Sequence, residues 1–252
     1  MTKILAIANQ KGGVGKTTTA INLSSCLAVA EHKTLLVDMD PQANTTSGMG
    51  LDKRNISSSI YEAIVTDAAA EQAIVETDIK FLHLLPANIN LVGAEIELVN
   101  LPEREFRLKR ALAPIAPNYE FIIVDCPPSL GLLTLNALAA ANSVIIPIQC
   151  EFYALEGLSQ LMNTIGLVQK HLNPGLQIHG VLLTMYDNRL SLSRQVAENA
   201  RKYFSDKVYE TVISRNVRLS EAPGFGKPIL LYDIESSGAK NYIRFAREVL
   251  SR

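Results

Sequence analysis

No apolar run in this 252-residue chain approaches the roughly 18 residues that a bilayer-spanning helix needs, which argues against a membrane-spanning protein. The first residues lead into an apolar strand without a basic n-region or a cleavable apolar segment, so the cytoplasm is the expected location. Cysteine is scarce. Cys26, Cys126 and Cys150 show neither CxxC pairing nor a histidine at ligand spacing, and buried reduced thiols are the expected state. The four histidines are equally scattered and read as structural. Internal repeats, low-complexity tracts and linkers are also missing, so residues 1–252 are expected to form a single domain. What remains is a composition of 48 % hydrophobic and 19 % charged residues, apolar enough to build a large core and a buried parallel sheet.

The net charge of −1 conceals an asymmetry. Residues 1–185 carry 12 Lys and Arg against 17 Asp and Glu, whereas residues 186–252 carry 12 against 8. The C-terminal part is therefore positive, by +4 against −5 for the rest, which hints at an anionic partner there.

Short apolar runs alternate with longer amphipathic ones. Strands are expected at Ile4–Ala8, Thr34–Val37, Phe121–Val124, Ser143–Pro147 and Ile178–Leu183, with a helix over residues 16–30 after the first. This alternation implies βαβ units, hence an α/β, doubly wound and mostly parallel sheet with helices on both faces. Ser59-Ile60-Tyr61-Glu62 has the form of a capping box opening a short helix. Residues 91–113 read as helical and outside the simple repeat. In such sheets ligands bind beyond the carboxyl ends of the strands, which directs attention to the polar loops Asp38–Gly50 and Cys126–Gly131.

The run Lys11-Gly12-Gly13-Val14-Gly15-Lys16-Thr17-Thr18 lies between a strand and a helix, the context of a phosphate-binding P-loop. Its glycines let the backbone curl with N–H groups pointing inward, and the helix N-terminus adds a positive dipole end. Lys16 supplies a point charge for the β- and γ-phosphates of ATP or ADP, and the Thr17 hydroxyl suits Mg²⁺. Asp125, closing the run Ile122-Ile123-Val124, is a second candidate to hold the magnesium through water. Two acids, Asp38 and Asp40, follow the second strand.

Gln10 stands where the general G-x-x-x-x-G-K-[ST] pattern has its first glycine, and Lys11 is an added lysine. In this the loop resembles the deviant Walker A group of P-loop NTPases, the class of ParA, MinD and the nitrogenase iron protein. The resemblance implies that Lys11 reaches across a nucleotide-sandwich homodimer to the partner's phosphates, and that Asp40 positions the attacking water while Asp38 orders the site. It narrows to the ParA/Soj partition ATPases and covers essentially the whole chain through Asp38-Met39-Asp40-Pro41-Gln42-Ala43-Asn44, Asp125-Cys126-Pro127-Pro128-Ser129, Met185-Tyr186-Asp187-Asn188-Arg189 and Arg215–Pro223. With no helix-turn-helix ahead of the P-loop, it is similar to the short chromosomal type.

That family implies an ATP dimer that binds double-stranded DNA without sequence preference and hydrolyses ATP when a ParB-like (Spo0J-like) protein stimulates it. The location implied is the cytoplasm, on the nucleoid. Arg189, Arg218, Lys227, Lys240 and Arg247 are the candidate DNA contacts, because neutralising phosphates and releasing counterions drives non-specific binding. Asn216, Val217 and Arg218 are candidates to lie beside the adenine. A rival is a MinD-like positioning ATPase on the membrane, with Tyr242, Phe245, Ala246, Val249 and Leu250 as a lipid-facing stripe; stable membrane association is not expected, since such stripes more often pack on a core. An iron–sulfur reductase component and a positioner of cargo other than DNA are further alternatives.

Overall fold

A computed structural model describes residues 2–151 and 156–252. In chain order the strands are β1 (Lys3–Ile7), β2 (Thr34–Asp38), β3 (Val75–Glu76), β4 (Leu82–Leu85), β5 (Phe121–Asp125), β6 (Ser143–Gln149), β7 (Gln177–Tyr186) and β8 (Val208–Ser214). The helices are α1 (Lys16–Val29), α2 (Asn44–Gly48), α3 (Ile60–Val65), α4 (Leu91–Glu97), α5 (Arg107–Leu112), α6 (Leu132–Ala140), α7 (Glu156–His171), α8 (Ser191–Phe204), α9 (Val217–Glu221), α10 (Ile229–Tyr232) and α11 (Ser237–Ser251).

The strands form one sheet in the order β3-β4-β2-β5-β1-β6-β7-β8. Only the two-residue β3 runs antiparallel to its neighbour; the other pairings are parallel. β2 and β5 are buried along their whole length, as continuous aliphatic runs covered on both faces should be. Alternate residues divide between two cores. Leu5, Ile7, Leu36 and Ile123 join α1 and α11, while Ala6, Ala8, Val37 and Val124 join the helices of the other face, α3 to α8 among them. The expected α/β, doubly wound architecture is the one observed.

Local chemistry sets several boundaries. Ser59 and Glu62 form the anticipated capping box at α3. Residues 91–113 differ from the expected helical stretch: α4 gives way to a 3-10 turn at Leu98–Asn100, and a non-helical stretch containing Pro102 separates it from α5. Along α11, Tyr242, Phe245, Ala246 and Val249 are buried against the sheet and α1, so these members of the candidate lipid-facing stripe are core.

Candidate nucleotide site

β1 ends at Ile7, and the next eight residues turn back to start α1 at Lys16. Gly13 and Gly15 hold φ of +73° and +88°, a left-handed backbone that glycine adopts without strain. The loop is anchored from outside. Asn9 accepts from Lys11 N at 3.0 Å and donates to Pro147 O at 2.7 Å, and Thr184 Oγ1 donates to Val14 O at 2.8 Å. Gly12 faces open space, with nothing within 4 Å of where a Cβ would stand.

Lys16 is buried and its Nζ donates to Lys11 O at 3.1 Å. Burial lowers the Lys16 pKa from the ordinary lysine range, and the nearby Asp125 carboxylate acts against that shift. Thr17 Oγ1 and Thr45 Oγ1 both donate to Asp125 Oδ2 at 2.7 Å. The other oxygen, Oδ1, is buried without a hydrogen-bond partner among the described residues. Burial, reinforced by Asp38, pushes the Asp125 carboxyl up to about 7. A buried, half-satisfied carboxylate beside a hydroxyl is an oxygen donor set that fits a hard divalent cation. Among the described residues no group of three or more His, Cys, Asp or Glu is placed to hold a metal ion. Cys26, Cys126 and Cys150 are free and buried, as expected.

The two acids after β2 do different things. Asp38 Oδ2 accepts from the backbone and hydroxyl of Thr46 at 2.8 and 2.7 Å, and its Oδ1 accepts from Asp40 N at 3.1 Å. It pins the loop and α2 to the strand, and burial pushes its carboxyl up to about 6. Asp40, also buried, accepts from Gln42 N at 2.9 Å and leaves its second oxygen free of any such bond among the described residues. Lys11 is partly exposed, its Nζ 3.9 Å from Glu151 Oε2.

Beside Gly15 and Thr18 opens a cavity of about 270 Å³, with Met185, Ile213 and Leu219 as apolar walls and Tyr242 at its side. Asn216 lines it. Val217 and Arg218 are not among its lining residues; Asn216 Oδ1 caps α9, which they open, by accepting from Leu219 N at 3.2 Å. Val217 lines a separate groove with Arg189 and Arg215. Thr184, Met185, Arg215 and Pro223, which sequence reasoning missed here, complete the cavity from chain-distant segments. A larger basin of about 570 Å³ between Lys3, His179, Lys207 and Arg252 opens at the amino ends of the strands, away from the phosphate loop.

The candidate DNA contacts are on the surface, several of them in ion pairs. Arg189 meets Asp187 through two bonds of 2.9 and 2.7 Å, Arg218 meets Glu221 at 2.9 Å and Asp233 at 3.4 Å, and Lys240 meets Glu235 at 3.0 Å. Exposed pairs of this kind hold weakly and can be exchanged for phosphate. Lys227 and Arg247 are exposed and enter no ion pair among the described residues.

A family model described as an AAA domain matches residues 2–178. The chain is 58 % identical over 250 residues to the chromosome partitioning protein ParA of Myxococcus xanthus, covering 99 % of this chain and 88 % of that one. It is 60 % identical over 249 residues to the sporulation initiation inhibitor protein Soj of Bacillus subtilis, covering 99 % and 98 %. Among solved structures, the cobyrinic acid a,c-diamide synthase of Mycobacterium smegmatis with bound ADP and magnesium superposes with a TM-score of 0.88 at 41 % identity, covering 99 % and 94 %.

Proposed function

Since the chain belongs to the ParA/Soj family of chromosome-partitioning ATPases, we propose that it segregates DNA by a nucleotide-controlled dimer cycle. ATP enters with its phosphates in the loop Lys11–Thr18 and its base in the cavity beside Gly15 and Thr18. Thr17 and, through water, Asp125 would hold Mg²⁺, whose chemistry is to neutralise charge developing on the phosphate oxygens. Lys16 leaves its bond to Lys11 O for the β- and γ-phosphates. Asp40 orients the water that bonds to the γ-phosphorus as the bond to ADP breaks.

Lys11 reaches the phosphates of a second copy, so that ATP joins two protomers face to face. Doubling the positive C-terminal region in that dimer raises its affinity for any DNA sequence, with Arg189, Arg218, Lys227, Lys240 and Arg247 as contacts. A ParB-like protein stimulates hydrolysis and returns the protomers to solution. Residues 1–252 act as one P-loop domain in the cytoplasm, on the nucleoid. The observation that carries this reading is the loop itself: a buried Lys16 beside the Thr17–Asp125 pair, with a partly exposed Lys11 and an open Gly12 on its outer side.

The synthase name borne by the Mycobacterium structure favours a second reading, ATP-driven amidation on a cobyrinic acid. The identity of about 60 % with partition proteins, against 41 % there, weighs for segregation. ATP turnover measured with DNA alone, a ParB-like partner alone and both together separates them. Segregation predicts the highest rate with both present; a rate that ignores DNA and partner and rises only with a corrinoid acid and glutamine overturns it.

A further inference from the structure

The outward side of α4 is apolar. Ile89, Val92, Ile96 and Val99 are 71 %, 53 %, 76 % and 48 % exposed. Hydrogen bonds from Val92 N to Ile89 O and from Leu101 N to Leu98 O carry helical turns past both ends of α4. Val92 and Ile96, four residues apart, share one face of α4, and Ile89 and Val99 lie in the turns that flank it. Leu91, Ala94 and Leu98, on the opposite side, are buried in the core. The inner face thus satisfies the fold, and the outer one, spaced three, four and three residues apart, is the seam with which helices pack on a partner.

Its position is informative. β4 runs parallel to β2, so the chain leaves it at the same end of the sheet as Asp38 and Asp125. Ala87 N donates to Thr46 Oγ1 at 2.9 Å, and that hydroxyl in turn donates to Asp38. The Glu95 carboxylate lies against Gly131, the residue that opens α6 after the Asp125 loop. The ridge is therefore braced on both loops that border Lys16 and Thr17.

We propose that this ridge is the apolar part of the contact between two copies of the chain, continuing the surface over which Lys11 reaches its partner; the inference rests on the dimer reading above. A specific interface buries on the order of 1,600 Å² around an apolar centre, which phosphates and lysines do not supply. A two-fold dimer needs a surface that meets its own copy, and an uncharged aliphatic ridge meets that condition. The acids that flank it are drawn aside, Glu97 by Tyr61 Oη at 2.8 Å and Glu95 onto Gly131.

The test is sedimentation velocity with ATPγS and Mg²⁺ on wild type, Ile96→Glu, Ile96→Leu and a control, Leu167→Glu, on exposed apolar surface of α7. The dimer Kd should rise at least about tenfold in Ile96→Glu and stay near wild type in the other two, with monomer nucleotide affinity unchanged. Should Ile96→Glu also lose nucleotide, Ile96→Ser decides: a weakened dimer with nucleotide still bound supports the ridge, and a normal dimer overturns it. An Ile96→Glu protein that dimerises normally overturns the assignment, and so does one that dimerises but no longer responds to a ParB-like protein, since the ridge would then be that partner's. A wild type that stays monomeric overturns the dimer reading itself, and the ridge with it.

Discussion

Thr17 Oγ1 donates to Asp125 Oδ2 at 2.7 Å, joining the first turn of α1 to the end of β5 across 108 residues of sequence. With Thr45 on the same oxygen and Oδ1 unpartnered, the carboxylate is held by two hydroxyls on one side and left open on the other. On the reading proposed above, it holds a cation that arrives with its nucleotide.

Lys16 is the one buried lysine at the phosphate loop, and its removal should be decisive. Lys16→Ala is expected to weaken ATP binding by at least about 100-fold, on the order of 3 kcal/mol, and to leave a monomer. Isothermal titration showing near-normal affinity would refute the phosphate assignment.

Asp40 is held through one oxygen, with the other available to a water. Asp40→Ala should bind ATP with little loss, turn it over at least about 100-fold more slowly and accumulate as dimer. Wild-type turnover in a single-turnover assay would show that another group orients the water.

Gly12 has room for a side chain within its own protomer. Gly12→Val should therefore keep ATP affinity within a few-fold of wild type, yet form no ATP dimer, because the β-branched group meets the incoming copy. A normal dimer by size-exclusion chromatography with ATP contradicts the face-to-face geometry.

The strands around the phosphate site were legible because each is a dense aliphatic run: β1, β2, β5 and β6 were expected with boundaries off by no more than two residues. β8 was not, since Glu210 and Thr211 interrupt its apolar residues, as an edge strand permits. β3 and β4 are too short for their period to register. The P-loop motif could be read from contiguous spacing. The cavity beside it could not, because Gly15, Thr184, Arg215 and Tyr242 converge only through the fold. Of Asn216, Val217 and Arg218 only Asn216 lines that cavity, and the sequence does not show which way the α9 cap turns the chain.

His179 offers a test of the fold remote from the nucleotide. Burial, together with Arg252, Lys3 and Lys207, lowers its pKa from 6.5 to about 4, while its Nδ1 lies 2.6 Å from Tyr209 Oη. As pH falls through 6.5 the unfolded chain takes up this proton first, so the folded state loses stability progressively down to about pH 4. Urea unfolding at pH 7 and pH 5 should show wild type losing on the order of 2 kcal/mol more than His179→Gln. Equal losses would mean that His179 titrates normally.

The central claim is that ATP converts a monomer with weak affinity for DNA into a dimer that retains it. Retention of non-specific duplex DNA should therefore be measured with ATP, ADP and no nucleotide across a salt series, on wild type and on Arg189→Ala, Arg218→Ala and Lys227→Ala. The account predicts strong retention with ATP only. It also predicts that at least one substitution lowers the salt slope by about one per phosphate contact removed per site, with ATP affinity and dimer mass unchanged. Retention that is the same in all three nucleotide states would contradict it, and an unchanged salt slope in all three variants would show that the DNA face lies elsewhere.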